Sequence, residues 1–330
     1  MSRSPATPTP LLEVRDLRMH FPVKTGLFRP PLLCKSVDGV SLIVNPGETL
    51  GLVGESGCGK STLGKTIAGL NTPTSGEVIL AGRRVDTLSD RKRLPFRRDI
   101  QMIFQDPAES LNQRHTVGAI LEEPLVIHGI GSRDERRAAV KKLLRQVGLP
   151  ESAGDKFPFE FSGGQRQRIG IARAIALQPK LIVCDEPVSA LDVSIQGQVL
   201  NLLLDLRRDM GLSYIFIAHD LAVVKHMSDR VAIMYLGKIV ETGPAEEVYR
   251  DPLHAYTKAL ISAIPSHTPG AKRGRIAIPG ELPSPLDPPP GCAFGHRNRS
   301  PRYRESIGTP PVFTEVRPGR RVLKCPCCVD

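Results

Sequence analysis

The run Gly54-Glu55-Ser56-Gly57-Cys58-Gly59-Lys60-Ser61 satisfies G-x-x-x-x-G-K-[ST] at every fixed position. Glycines let such a loop curl so that successive backbone N–H groups point inward at phosphate oxygens. A helix start adds positive potential. Lys60 would reach the β- and γ-phosphates and the Ser61 hydroxyl would ligate Mg²⁺. Thr62, next in the chain, belongs with the ATP-binding set. A second candidate is the acid pair Asp185-Glu186, which closes the apolar run Leu181-Ile182-Val183-Cys184. A carboxylate at the C-terminal edge of a parallel sheet lies in the crevice where ligands sit. Asp185 is placed to hold Mg²⁺ directly or through water, and Glu186 to orient or deprotonate an attacking water. Acid pairs at strand ends are also common as caps, so this one gains its weight from the loop upstream. The third candidate is Ser162-Gly163-Gly164-Gln165. A Ser and two Gly at a helix start form an anion-binding nest, although the same four residues in isolation read as a turn.

These groups need elements to hold them. Thr49–Val53 reads as a strand leading into the glycine-rich loop, with a helix from Lys60 to about Leu70 behind it. Leu11–Val14, Val40–Val44, Glu77–Leu80, Leu181–Cys184 and Ser213–Ala218 read as further strands, several with the apolar composition of buried parallel strands. Ser132-Arg133-Asp134-Glu135 fits a capping box, and Val140, Leu143, Leu144 and Val147 follow at helical spacing until Gly148. A helix should also run from about Gly164 to Leu177. Roughly residues 101–178 therefore read as a helical insert in an α/β fold with a mainly parallel sheet. The Pro-rich stretch Pro279–Pro290 is unsuited to helix or central strand. A boundary near Pro265 divides the chain into residues 1–264 and a tail, 265–330.

Composition narrows the function. The 330 residues contain no Trp, and 5% are aromatic, which argues against a stacking platform for single-stranded nucleic acid. No apolar run approaches the roughly 20 residues of a spanning helix, and the first ten residues lack the apolar core of a secretory signal. A cytosolic protein is expected. If it serves a membrane, it must dock on partners that span it. Of the net charge of +11, the tail carries 11 Lys and Arg against 5 Asp and Glu. Such a tail suits a solvated extension or contact with anionic lipid heads. The seven cysteines are odd in number, so a disulfide framework is not expected. Four of them, Cys292, Cys325, Cys327 and Cys328, fall in the tail. Four thiols could hold zinc or a cluster, but adjacent Cys327 and Cys328 are expected to diverge and serve one metal poorly.

The order of the motifs resembles that of the ATP-binding-cassette (ABC) ATPases. Ser162–Gln165 opens its helix about 100 residues after the glycine-rich loop and about 20 before the acid pair. It resembles the family's L-S-G-G-Q signature, with Phe161 in place of Leu. The resemblance implies a P-loop ABC ATPase core, an antiparallel β-subdomain, a helical subdomain and a C-terminal extension. It puts Gln105 in the Q-loop as an Mg²⁺ ligand beside Ser61 and Asp185. It makes Ser189-Ala190-Leu191-Asp192 the D-loop, His219 the switch histidine and Phe21 the adenine-stacking aromatic. Glu186, His219 and Gln105 become the catalytic group, and Ser162, Gly163, Gly164, Gln165 and Asp192 act on ATP held by a partner chain. The runs His20–Lys24, Asp251–Leu260, Gly280–Pro285 and Pro288–Phe294 are similar to those of dipeptide/oligopeptide-type importer ATPases. That subfamily implies a second ATPase, two membrane permeases, an extracytoplasmic binding protein, and work at the cytoplasmic face of the membrane with no nucleic acid partner. Nickel or glutathione importers are its near alternative. Chromosome-maintenance and translation ABC ATPases are remote, because this chain has neither a long coiled coil nor a second cassette. An inactive partner subunit is disfavoured, since Lys60, Asp185, Glu186 and His219 are all present. Some relatives bind an iron–sulfur cluster at C-x-F-x-x-R-C. Here Asn298 follows Arg297 and Glu305 stands near where a third cysteine is expected, so no cluster is expected. Every residue assigned to phosphate, metal or water lies between Gly54 and His219, Phe21 apart, and the tail is expected to tune assembly.

Overall fold

The structure, a computed structural model, describes residues 9–24, 30–264 and 276–329. The expected signal-free N-terminus, up to residue 8, and the expected boundary at Pro265 lie outside the described residues. Among the described residues the strands are β1 (Leu12–Val23), β2 (Leu32–Val44), β3 (Thr49–Val53), β4 (Ser75–Leu80), β5 (Arg83–Arg84) and β6 (Ile100–Ile103). They continue with β7 (Leu181–Asp185), β8 (Ser213–Ile217), β9 (Arg230–Tyr235), β10 (Lys238–Pro244), β11 (Val312–Arg317) and β12 (Arg320–Lys324). The chain divides into two compact units. Among the described residues, one gathers 9–12, 44–48 and 79–216; the other gathers 13–24, 30–43, 49–78, 217–264 and 276–329.

In the first unit β8, β7 and β6 lie side by side, with β6 and β7 parallel and Ile100 opposite Leu181. All five residues of β7 and of β8 are buried, and apart from Asp185 and Ser213 they are apolar or aromatic, as in strands covered on both faces. The expected insert at 101–178 opens with strand, since Gln101–Ile103 finish β6. That strand has only four residues, too few for its period to show in the sequence. The helices Val117–Ile127, Arg133–Gln146 and Gly163–Ile175 follow. Ser132 and Glu135 close the capping box, the Ser132 Oγ accepting from Glu135 N and Glu135 accepting from Ser132 N. Behind it Leu143 and Leu144 are buried, and each such side chain contributes about 1.5–3 kcal/mol by leaving water.

In the second unit β3 runs parallel to β9, with Leu50 opposite Arg230 and Val53 opposite Ile233. Strand β9 turns at Leu236-Gly237 into antiparallel β10, and β12 pairs antiparallel with β10, Glu241 opposite Val322. The hairpin β11–β12 therefore extends this sheet with residues of the tail. Its attachment is ionic as well as hydrogen-bonded. Arg320 Nη2 donates to Glu241 Oε1 at 2.9 Å, and both side chains are wholly buried. Glu241 also accepts from the backbone N–H groups of Leu253 and His254. Strands β2, β1 and β4 form a separate sheet, which β4 extends by an antiparallel hairpin to β5.

Candidate functional site

Strand β3 delivers the chain into the glycine-rich loop, and the helix Lys60–Ile67 leaves it. Gly59 caps that helix at φ 108°, in the left-handed region, and a Cβ there would lie 2.0 Å from the Ser36 carbonyl oxygen. Only glycine can make that approach. Lys60 is 4% exposed. Its Nζ donates to the carbonyl oxygens of Gly54 at 2.7 Å and Glu55 at 3.0 Å. The ammonium is thereby fixed across its own loop on neutral carbonyl acceptors, and an anionic phosphate oxygen would add the attraction of an opposite charge that those carbonyls lack. Burial pushes the Cys58 thiol up, so it stays neutral beside this cation. The loop fits a bound phosphate chain, with Ser61 and Thr62 half-buried in the first turn of the helix.

Two further side chains hold the loop, and both escaped the sequence reading as functional residues. Glu55 N donates to the hydroxyl of Tyr256 at 2.9 Å, and Tyr256 is wholly buried. Arg297, from the tail, grips the Glu55 carboxylate with both terminal nitrogens, Nη2 lying 3.2 Å from Oε1. Its remaining donors reach Pro279 O at 3.0 Å and Gly280 O at 2.8 Å. The tail thus contributes to the support of the glycine-rich loop, contrary to the expectation that it stands apart from phosphate handling. Motif matching supplied no signal for this, because the partners are 242 residues apart.

The acid pair forms its own arrangement in the other unit. Asp185 ends β7 and is 3% exposed. Glu186 has φ 47°, a left-handed conformation that a side chain rarely adopts. Such strain costs on the order of 1–3 kcal/mol and concentrates at functional sites. Gln105, two residues past the end of β6, donates from Nε2 to Glu186 Oε2 at 3.0 Å. Ser189 Oγ donates to the Glu186 carbonyl at 3.0 Å. Parallel pairing of β6 with β7 accounts for the meeting of residues 81 apart. The helix Gly163–Ile175 starts with a second capping box, Ser162 Oγ accepting from Gln165 N and Gln165 Oε1 accepting from Ser162 N at 3.0 Å. Ser162, Gly163 and Gln165 are exposed, and Gly164 is half-buried. Asp192 is exposed at the N-cap of the helix Val193–Met210 without a side-chain bond to its first turn. This unit therefore unites Gln105, Glu186 and Asp185 at adjacent strand ends. The other holds residues 54–62, Phe21 and His219. Phe21 is 37% exposed on β1, and His219 is exposed in the turn after β8.

Among the described residues no helix is long and apolar enough to cross a membrane. Two family models match the chain: "ABC transporter" over residues 37–189, and "Oligopeptide/dipeptide transporter, C-terminal region" over 240–301. The oligopeptide transport ATP-binding protein OppF of Escherichia coli is 55% identical over 297 residues, 88% of each chain. AppF of Bacillus subtilis, also an oligopeptide transport ATP-binding protein, is 50% identical over 94% of this chain and 96% of its own. The dipeptide transport ATP-binding protein DppF of Escherichia coli is 50% identical over 88% of this chain and 87% of its own. Among solved structures, the dimeric post-hydrolysis state of the ATP-binding cassette MJ0796 bound to ADP and Pi matches with a TM-score of 0.64. It is 28% identical and covers 71% of this chain and 98% of that one.

Proposed function

The chain belongs to the ATP-binding subunits of oligopeptide and dipeptide ABC transporters, and from that membership we propose how its residues divide the work of one hydrolytic cycle. It is a transport-coupled ATPase, and a membrane permease is its partner. The backbone N–H groups of Gly54–Gly59, with Lys60, Ser61 and Thr62, take the phosphates, and Phe21 stacks on the base. Ser61, Gln105 and Asp185 are the oxygen donors that would hold Mg²⁺, which when bound neutralises phosphate charge. The Gln105 amide turns its nitrogen to Glu186, leaving its oxygen as the ligand atom. Glu186 orients the attacking water and accepts its proton, while His219 contacts the γ-phosphate. Ser162, Gly163, Gly164, Gln165 and Asp192 serve ATP held by a second ATPase subunit. ATP binding then joins the two subunits, and hydrolysis parts them. Phosphoryl transfer of this kind asks little covalent chemistry of the protein and much positioning.

The transported substrate is a peptide. Two membrane-spanning permeases carry it, an extracytoplasmic binding protein delivers it, and this subunit sits peripherally at the cytoplasmic face of the membrane. Residues 1–264 handle nucleotide, and 265–330 form the peptide-transporter extension. The observation that supports the catalytic assignment best is the Gln105–Glu186 hydrogen bond, made at a residue kept in a strained backbone. The test is Glu186→Gln in the assembled ATPase with the partner subunit's own site inactivated. ATP should still bind and hold a dimer together, while turnover falls by about 10²–10⁴, the usual loss for a positioned base. Hydrolysis within twofold of the parent would remove Glu186 from the mechanism.

A further inference from the structure

Four cysteines of the tail meet inside the second unit. Cys292 caps the helix Ala293–Arg297, while Cys325, Cys327 and Cys328 follow β12. Their sulfurs all lie within 4.8 Å of one another. The Cys292–Cys328 pair is 3.3 Å apart, Cys325–Cys327 3.4 Å and Cys327–Cys328 4.0 Å. All four are free thiols, three buried and Cys327 half-buried. The neighbouring pair 327–328, expected to diverge, converges because the turn after β12, closed by Cys328 N donating to Cys325 O, folds both side chains toward Cys292.

The surroundings are shaped to sulfur. Gly295 N donates to Cys292 Sγ at 3.2 Å, the bond that stabilises a thiolate. A Cβ on Gly295 would stand 2.3 Å from Cys327 Sγ, so that glycine makes the room the sulfur occupies. Ser306 Oγ accepts from Cys292 N at 3.0 Å, and Cys328 O accepts from Ala255 N at 2.8 Å, which fixes both ends of the cluster from outside it.

We propose that Cys292, Cys325, Cys327 and Cys328 bind one tetrahedral metal ion, zinc, as a structural site. Zinc–sulfur bonds of about 2.3 Å in a tetrahedron set neighbouring sulfurs about 3.8 Å apart, and the observed separations bracket that value. The iron–sulfur cluster of some relatives does not fit these residues. A four-iron cluster takes one thiolate at each of four irons and spreads its sulfurs farther than a single ion does, whereas these are gathered within 4.8 Å. Two of the cysteine positions of that cluster motif are also vacated, at Asn298 and near Glu305. The ion would join residues 292 and 325–328, clamping the end of the β11–β12 hairpin to the short helix that carries Arg297. Through Arg297 and Glu55 the clamp reaches the glycine-rich loop. Binding releases thiol protons and holds the folded form, as structural zinc does elsewhere.

The full-length chain, purified under reducing conditions from cells supplied with both zinc and iron, is measured for zinc, iron and acid-labile sulfide, and titrated with cobalt(II) after metal removal. One zinc per chain is expected, with cobalt giving the thiolate charge-transfer and visible bands of a tetrahedral tetrathiolate. Cys292→Ser and Cys327→Ser should each lower zinc content at least tenfold, and Cys34→Ser should leave it unchanged. Circular dichroism of each variant verifies folding. Should both tail variants unfold, chelation of the parent chain gives the same reading: removal should release one zinc and lower its melting temperature. Several irons with matching sulfide would overturn the proposal in favour of a cluster. Metal-free protein, or a Cys292–Cys328 disulfide that survives reduction, would overturn it as well.

Discussion

Arg297→Gln isolates the contribution of the tail to nucleotide binding. The substitution keeps much of the stem and removes the guanidinium that holds Glu55, Pro279 and Gly280 together. Hydrogen bonds to charged groups are each worth about 1.5–3 kcal/mol when buried. The Arg297 side chain is 6% exposed but that of Glu55 is 29% exposed, so the carboxylate recovers part of its loss by hydration. The bond from Glu55 N to Tyr256 remains as a second anchor of the loop. A net weakening of about 1 kcal/mol in the loop's phosphate-ready form is therefore expected. By the relation of about 1.4 kcal/mol per tenfold, that is roughly a five-fold rise in the dissociation constant for ATP. Titration with a fluorescent ATP analogue measures it, with the exposed Arg304→Gln as control. Glu55→Gln should give a similar rise, and the double variant should be no worse than either single one, because the lost interaction is shared. Unchanged ATP affinity in a folded Arg297→Gln chain would refute this, and so would additive losses in the double variant.

Arg320→Leu should destabilise the chain by about 3–5 kcal/mol, because it leaves the Glu241 carboxylate buried and unpaired. Chemical denaturation measures this, and replacing Glu241 by Gln in the same chain should return part of the loss. Gly59→Ala should abolish nucleotide binding with little effect elsewhere in the fold, since its Cβ would collide with the Ser36 carbonyl; equilibrium dialysis with labelled ATP checks it. If the subunit pairs with itself, mixing Lys60→Ala chains with Ser162→Arg chains should restore some hydrolysis, because one composite site would carry both lesions and the other neither. Absence of recovery in demonstrated mixed dimers would count against sites shared between chains.

Legibility from sequence followed the length of the local signal. Thr49–Val53 and the Ser132–Glu135 capping box were read to the residue, because each is fixed by neighbours within four positions. Strand β6 was absorbed into the helical insert, for four residues carry too little pattern to set against the helices around them. The hairpin β11–β12 was missed because Pro and Arg dominate the tail, and what holds it is the distant Glu241 on β10. At the candidate site, the positions of the glycine-rich loop and the acid pair were legible because each is a short run of particular residue types at the end of an apolar strand. Gln105 needed the family resemblance, and its bond to Glu186 follows only once β6 and β7 are paired. Arg297 stands at the Arg of the C-x-F-x-x-R run, but nothing local in that run points to Glu55. Its role comes from a chain path that returns a residue of the tail to a loop near the start. The same return brings Cys292 to Cys325–Cys328, and adjacency in sequence had argued against that convergence.

The central claim is that this chain's glycine-rich loop fuels peptide uptake. Proteoliposomes holding this chain with the permeases and second ATPase subunit proposed above, ATP on this chain's side of the membrane and the proposed binding protein, loaded, on the other, test it directly. With the parent chain, labelled peptide should accumulate only when ATP is present, and Lys60→Ala should reduce accumulation to the ATP-free level. Accumulation by the Lys60→Ala assembly within twofold of the parent would contradict the account.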